Sequence, residues 1–224
     1  MRDTVKATAT WTFNDEVAAN EDITLIDAAG TSKTYRAVSS LGGGAVGDAT
    51  PAIGATVEFT IKAGASIEAE HDGATTITLT STDGTTKTYE ATDTGDGGFG
   101  GTLLPNGNVG FTFDGSQGPG GGYTIVDAAQ TATNLRAAII DSTVGHGESK
   151  LTVNVDGAKL TITQDTGGTA GNTTITADDK FKAICTDVTF PASFTGGREA
   201  AQMFLQGGDQ NDSAQSLSYA ITSS

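Results

Sequence analysis

Ile77-Thr78-Leu79-Thr80-Ser81-Thr82-Asp83-Gly84-Thr85-Thr86-Lys87-Thr88-Tyr89-Glu90-Ala91 is the stretch that decides the fold. Ile77 and Leu79 alternate with Thr78 and Thr80, a period of two that belongs to a strand with one buried face. Asp83-Gly84 then turns the chain and Lys87 to Ala91 resumes the alternation, so the stretch reads as a β-hairpin. The same text occurs 54 positions earlier. Ile23 to Ala37 aligns on Ile77 to Ala91 without gaps, with nine of fifteen positions identical. Convergent alternation would not reproduce the shared Gly-Thr-x-Lys-Thr-Tyr, so the two hairpins are read as copies. Two copies are too few for a solenoid.

Outward from these hairpins the period of two persists. Val5, Ala7, Ala9, Trp11 and Phe13 alternate with polar residues. So do Val57-Phe59-Ile61, Leu151-Val153-Val155, Leu160-Ile162 and, near the end, Leu217, Tyr219 and Ile221. Thr, at 38 residues, fills most outward positions, as suits a β-branched side chain on a half-solvated pleat. Asp156-Gly157 reads as a type I′ hairpin turn between two of the runs. One helix stands out, over residues 128–141. Asp127 precedes it as N-cap, and Ala128, Ala132, Leu135 and Ile139 form its apolar stripe, with Asn134 and Arg136 facing away. Asp179–Cys185 and Arg198–Leu205 read as shorter helices, the second stopped by Gly207-Gly208.

These elements predict a mainly β chain: antiparallel sandwich or barrel-like modules, one packed helix and long Gly-rich loops at 42–54, 92–101 and 114–122. Residues 1–64 read as an N-terminal β region holding the partial repeat 23–37. Residues 65–197 read as a Thr/Gly-rich module with the helix. Residues 198–224 read as a short helix and a strand, an interaction arm that completes a sheet or donates itself to a neighbour.

Charge narrows the function classes. Lys+Arg number 12 and Asp+Glu 27, a formal net charge of −15. Nucleic acid and anionic membranes both require a basic footprint, so neither is an expected direct partner. The start, Met1-Arg2-Asp3-Thr4-Val5-Lys6, has no apolar core of a secretory signal, and no run is long enough to span a membrane. A single Cys excludes a disulfide framework.

No catalytic or metal motif emerges. His71 and His146 fall beside Gly or Asp in loops, without ligand spacing, and read as solvated. Cys185 has no CxxC partner and reads as a buried thiol. Asp93-Thr94-Gly95-Asp96-Gly97 and Asp209-Gln210-Asn211-Asp212-Ser213 lack the calcium-loop pattern and read as solvated acidic loops. Gly97 to Gly101 and Gly118 to Gly122 lack a phosphate loop's Gly-Lys-Ser/Thr ending. Asp114-Gly115-Ser116-Gln117-Gly118 has the wrong spacing for a nucleophile elbow. Sugar sites want aromatic platforms, and there are only one Trp and four Tyr. The expectation is a non-enzyme with no cofactor and no metal.

One resemblance gives a direction. The order of features from Ile77 to Gly197 resembles a β module widespread in virion structural proteins of tailed bacteriophages. The hairpin Ile77–Ala91 is followed by Thr131-Ala132-Thr133-Asn134-Leu135-Arg136-Ala137-Ala138-Ile139, then Val155-Asp156-Gly157 and Leu160-Thr161-Ile162-Thr163-Gln164. Gly168-Thr169-Ala170-Gly171-Asn172-Thr173-Thr174-Ile175-Thr176 and Phe194-Thr195-Gly196-Gly197 close the series. The first copy, Ile23–Ala37, carries only the hairpin. The resemblance implies a non-enzymatic virion component, of a kind found on heads as decoration or cement proteins and also on tails and fibres. Small size and the lack of a coiled coil or long fibrous repeat favour the particle exterior at the head. Its expected partners are the major capsid protein or neighbouring virion proteins, with a homo-oligomer. The favoured expectation is a capsid decoration or cement protein. A tail tube or tail-surface protein stands second, and an adhesin or carbohydrate-binding module third.

Overall fold

Both hairpins form where the alternation places them. The computed structural model describes residues 10, 12–13, 17–41, 45–67, 75–92, 101–117, 122–206 and 210–223. The strand expected at Val5–Phe13 lies outside the described residues apart from Thr10, Thr12 and Phe13, as do 42–44, 93–100 and 118–121 of the Gly-rich loops. Asp114–Gln117, expected in the last of those loops, forms a strand. The strands are β1 (Asp22–Ile26), β2 (Ser32–Val38), β3 (Ala49–Thr50), β4 (Thr56–Thr60), β5 (Ser66–Ile67), β6 (Thr76–Thr80), β7 (Thr86–Thr92) and β8 (Thr102–Leu103). They continue with β9 (Val109–Thr112), β10 (Asp114–Gln117), β11 (Tyr123–Asp127), β12 (Leu151–Asp156), β13 (Lys159–Gln164), β14 (Thr176–Ala177) and β15 (Ala201–Leu205). Among the described residues the α-helices are α1 (Ala128–Ile140), α2 (Asp179–Ala183) and α3 (Gln210–Ser223). The fold is mainly β, with several antiparallel sheets and, among the described residues, no closed barrel.

Two compact units divide the chain. The first combines Met1–Pro51 with Ala200–Ser224, and the second is Ala52–Glu199. Residues 52–64, expected with the N-terminal region, therefore belong to the second unit, where β4 pairs with β13. Residues 200–224 are built into the first unit: β15 is an inner strand of its sheet and α3 packs against it. The first unit's sheet runs β1-β2-β15-β3. Its core is Val17, Tyr35, Ala37, Phe204, Leu217 and Ala220.

The second unit holds a five-stranded sheet, β14-β6-β7-β9-β8, and two three-stranded sheets, β12-β13-β4 and β10-β11-β5. Helix α1 packs against β9 and β12. Asp127 caps it as expected, its carboxylate accepting from Gln130 N–H. Contrary to expectation Asn134 does not face away: it is buried and its Nδ2 donates to Thr112 O at 2.8 Å. A helix in contact with strands on two sides buries more than one stripe.

The two units share one arrangement. In each, a hairpin (β1-β2, β6-β7) is followed by a second antiparallel pair (β3-β15, β8-β9) whose later strand lies parallel to the hairpin's second strand. Registers coincide: Ile23 faces Tyr35 as Ile77 faces Tyr89, and Ala37 faces Phe204 as Ala91 faces Phe111. Ala49 faces Gln202 as Leu103 faces Val109. A helix then covers the later strand in both. The difference is nesting. In the second unit Pro105-Asn106-Gly107-Asn108 turns β8 directly into β9. In the first, the chain leaves at Pro51, which aligns with Pro105, and builds the whole second unit before returning at Ala200.

Three local expectations fail for stated reasons. Leu217, Tyr219 and Ile221 lie on α3 and not on a strand; Leu217, Ala220 and Ile221 are also spaced for a helix face. Residues 201–205 form β15 and not a helix, because the gap between β2 and β3 supplies backbone partners on both edges. The turn between β12 and β13 is Gly157-Ala158, with positive φ only at Gly157 (57°), which fits type II′ and not I′.

Candidate functional site

The side chains with chemical potential are framework. His146 is buried, not solvated. The chain reverses after α1, and His146 N–H donates to Ile139 O, which swings the ring inward. There Nε2 donates to Thr85 O at 3.1 Å and Nδ1 accepts from Tyr89 Oη at 2.6 Å. Burial pushes the imidazole pKa below its ordinary value, and the nearby Lys150 and Lys87 push the same way. The neutral ring therefore clamps the β6–β7 turn to the end of α1. Tyr89, raised by its own burial, stays protonated. His71 lies outside the described residues.

Cys185 is buried, its thiol 3.5 Å from Phe181 O, and burial with Asp187 nearby pushes its pKa up to about 12. Such a thiol supplies almost no thiolate at neutral pH. Asp212 and Ser213 of the second acidic run lie on α3, and the first run is outside the described residues. Among the described residues no group of three His, Cys, Asp or Glu is placed to hold a metal ion, and no helix is long and apolar enough to cross a membrane. Asp114 to Gln117 form β10, a strand paired antiparallel with β11 with a register shift between Asp114 and Gly115.

The motifs behind the resemblance also hold the second unit together. Asn134 and Leu135 are buried on α1. Gln164 is buried at the end of β13, where its Oε1 accepts from Thr82 N–H at 2.8 Å and its Nε2 donates to Thr80 O at 2.9 Å. Asn172 clamps the last motif: its Oδ1 accepts from Gly197 N–H at 2.9 Å and its Nδ2 donates to Gly197 O at 3.2 Å. A Cβ on Gly197 would lie 2.5 Å from Gly168 O, so the motif needs glycine there.

What separates the two copies is what covers them. Ile77 and Leu79 are fully buried, whereas Ile23 and Leu25 are half-buried and Ile26 is 71% exposed. The outer edge of β6 is paired with β14, with Thr176 facing Thr78 and Ala177 facing Ile77. Among the described residues nothing pairs with the outer edge of β1. A cleft of about 250 Å³ lies elsewhere on this hairpin, lined by Leu25 and Ile26 of β1, Asp27 and Thr31 of the turn, Lys33 and Tyr35 of β2, and Ile221 of α3. No family model, curated protein or solved structure matches the chain. A second depression, of about 180 Å³, is polar and sits over the Asp83–Lys150 ion pair (2.9 Å) in the second unit. Hydrogen bonds from Ser81 and Lys150 hold the Asp83 carboxyl well below the usual range. The β1 edge is thus the candidate site, and periodicity gives no sign of it. The sequence signal that bears on it is that the second hairpin's cover strand, Ile175-Thr176-Ala177, has no counterpart following the first hairpin.

Proposed function

We propose that the chain is a non-enzymatic virion structural protein, a capsid decoration or cement protein bound to the exterior of a phage head. The observation that carries this reading is where the resembling motifs sit: Asn134, Leu135, Gln164, Asn172 and Gly197 are core and stitching residues of one unit, a scaffold pattern and not a site pattern. A formal charge of −15 keeps such a protein soluble before assembly and off packaged nucleic acid. Retention on a shell would come from modest contacts repeated at high copy number.

The test is binding of the purified protein to preformed heads that lack it, followed by its localisation in intact particles by cryo-electron microscopy. Saturable binding over the head surface, with heads that resist heat better once coated, is the expected result. Density confined to the tail would replace decoration with a tail role. Absence from particles would overturn the virion reading and leave an acidic β protein of another kind, the adhesin included.

A further inference from the structure

The outer edge of β1, unpaired among the described residues, can be compared with the covered edge of β6. In the β1–β2 ladder Asp27 N–H donates to Thr31 O and Ala37 N–H to Glu21 O, so by alternation the backbone groups of Ile23 and Leu25 point to β2. Those of Asp22, Thr24 and Ile26 point outward. The equivalent outward groups of the second unit, on Thr76 and Thr78, are taken up by the β14 segment. Thr176 faces Thr78, and Asp178 N–H donates to Thr76 O at 3.1 Å. Continuing that antiparallel register places Ile175 opposite Leu79. The cover strand therefore reads Ile-Thr-Ala against Leu-Thr-Ile. Strand β1 itself reads Ile23-Thr24-Leu25.

We propose that β1 pairs with β1 of a second copy of this chain, antiparallel about a two-fold axis through Thr24, in the register that β14 uses on β6. Ile23 then lies opposite the second copy's Leu25, and Thr24 opposite Thr24. Each copy presents to the other the Ile-Thr-(small or aliphatic) text that the second unit presents to itself. The outer face gains a Thr34–Thr24–Thr24–Thr34 row matching Thr88–Thr78–Thr176 in the second unit. Thr side chains in adjacent strands already bond there, Thr24 to Thr34 at 3.0 Å and Thr78 to Thr88 at 2.8 Å. On the inner face the half-buried Ile23 and Leu25 of each copy cover one another, and a continuous sheet leaves no β1 edge exposed. The contact is isologous, so it closes at a dimer. Both copies are strongly acidic, with Glu21 and Asp27 flanking the strand, so pairing strengthens with salt.

Sedimentation of the full chain over a concentration series, at low and high salt, measures the association. The expected wild-type result is a monomer–dimer equilibrium that tightens as salt screens the charge. Thr24→Lys and Thr24→Glu each place like charges face to face at the axis and weaken dimerisation by about tenfold or more. Thr24 is exposed, so both variants should keep the wild-type circular dichroism, and their melting temperatures should no longer rise with protein concentration as that of a dimerising wild type does. Mixing the two restores association as a heterodimer, a rescue specific to this register. Thr24→Cys should also crosslink under mild oxidation, since facing residues of a hydrogen-bonded pair lie about 5.5 Å apart, whereas Thr34→Cys, one strand inward, should not. A wild-type monomer at all concentrations, or an oligomer indifferent to both charged variants, overturns the proposal. Either outcome leaves binding to heads to be decided separately.

Discussion

At the residue scale, one repeat position carries opposite charges in the two copies, and the nesting explains why. Glu90 is buried on β7 and accepts from Asn106 Nδ2 and Asn108 Nδ2, both at 2.7 Å. Those asparagines sit in the turn between β8 and β9, the turn that the first unit lacks. Its equivalent residue, Arg36, is also buried but is bonded by Asp22 through Nε at 2.8 Å and Nη2 at 2.9 Å. Asp22→Ala removes two charge-assisted hydrogen bonds from the buried guanidinium and should destabilise the first unit by about 1.5 kcal/mol, read by chemical denaturation. His146 carries a pH prediction. Its folded-state pKa lies below the ordinary 6.5, so as pH falls the unfolded chain takes up the proton first. The contribution of the neutral ring is complete above about pH 6.5 and is lost as the pH falls through the folded-state value. Asp27, Glu58 and Asp83, whose pKa values are lowered, act only in a more acid window, near and below pH 4. The melting temperature should hold steady above about pH 7 and decline from about 6.5 downward, and His146→Gln should flatten that decline. An undiminished slope in the variant would show that the ring does not cause it.

At the scale of elements, turn chemistry makes a prediction that the alternation alone does not. Gly30 and Gly84 occupy the same place in the two hairpins, at φ of 85° and 83°. Nothing lies within 4 Å of a Cβ built on either, so the requirement is backbone conformation and not space. Gly84→Val should therefore cost about 1 kcal/mol or more, and Gly30→Val a similar amount. Equal melting curves for wild type and both variants would contradict this. The same comparison shows which elements were legible. Hairpins and α1 were readable because long alternation, a capping Asp and a Leu/Ala stripe agree with one another. The C-terminal run was not, since Leu217, Tyr219 and Ile221 satisfy a period of two while Leu217, Ala220 and Ile221 satisfy a helical one. His146 could not be placed either: its partners Tyr89 and Thr85 are 57 and 61 positions away, and a Gly on each side looks like a loop. The open edge of β1 was invisible for another reason. Ile23-Thr24-Leu25 and Ile77-Thr78-Leu79 are the same text, and only the cover strand downstream tells them apart.

At the scale of the whole molecule, the nested arrangement makes each unit a candidate for folding without the other. The second unit's ends are already fastened together. Ile53 N–H donates to Arg198 O at 2.9 Å, and Arg198 N–H to Ile53 O at 3.0 Å. Gly168 N–H adds a bond to Ile53 O at 3.1 Å. A fragment of residues 52–199 should therefore keep its core and melt cooperatively, with the His146 pH dependence intact. The first unit needs its chain rejoined. Thr50 faces Ala201 as Leu104 faces Asn108, so the second unit's own turn supplies the splice. Replacing residues 52–200 by the dipeptide Asn-Gly, copied from Asn106-Gly107, reproduces the Pro-Asn-Gly connection of the β8–β9 turn. The joined chain should form the β1-β2-β15-β3 sheet under α3, and its stability should still fall on Asp22→Ala. Its shorter chain buries a smaller fraction of its surface, so it should be the less stable of the two. Circular dichroism and calorimetry on both pieces decide the matter. Two cooperative transitions would establish one module used twice, the second copy threaded through a turn of the first. An unfolded 52–199 fragment would show instead that the second unit relies on the flanking segments and that the shared topology does not extend to independent folding.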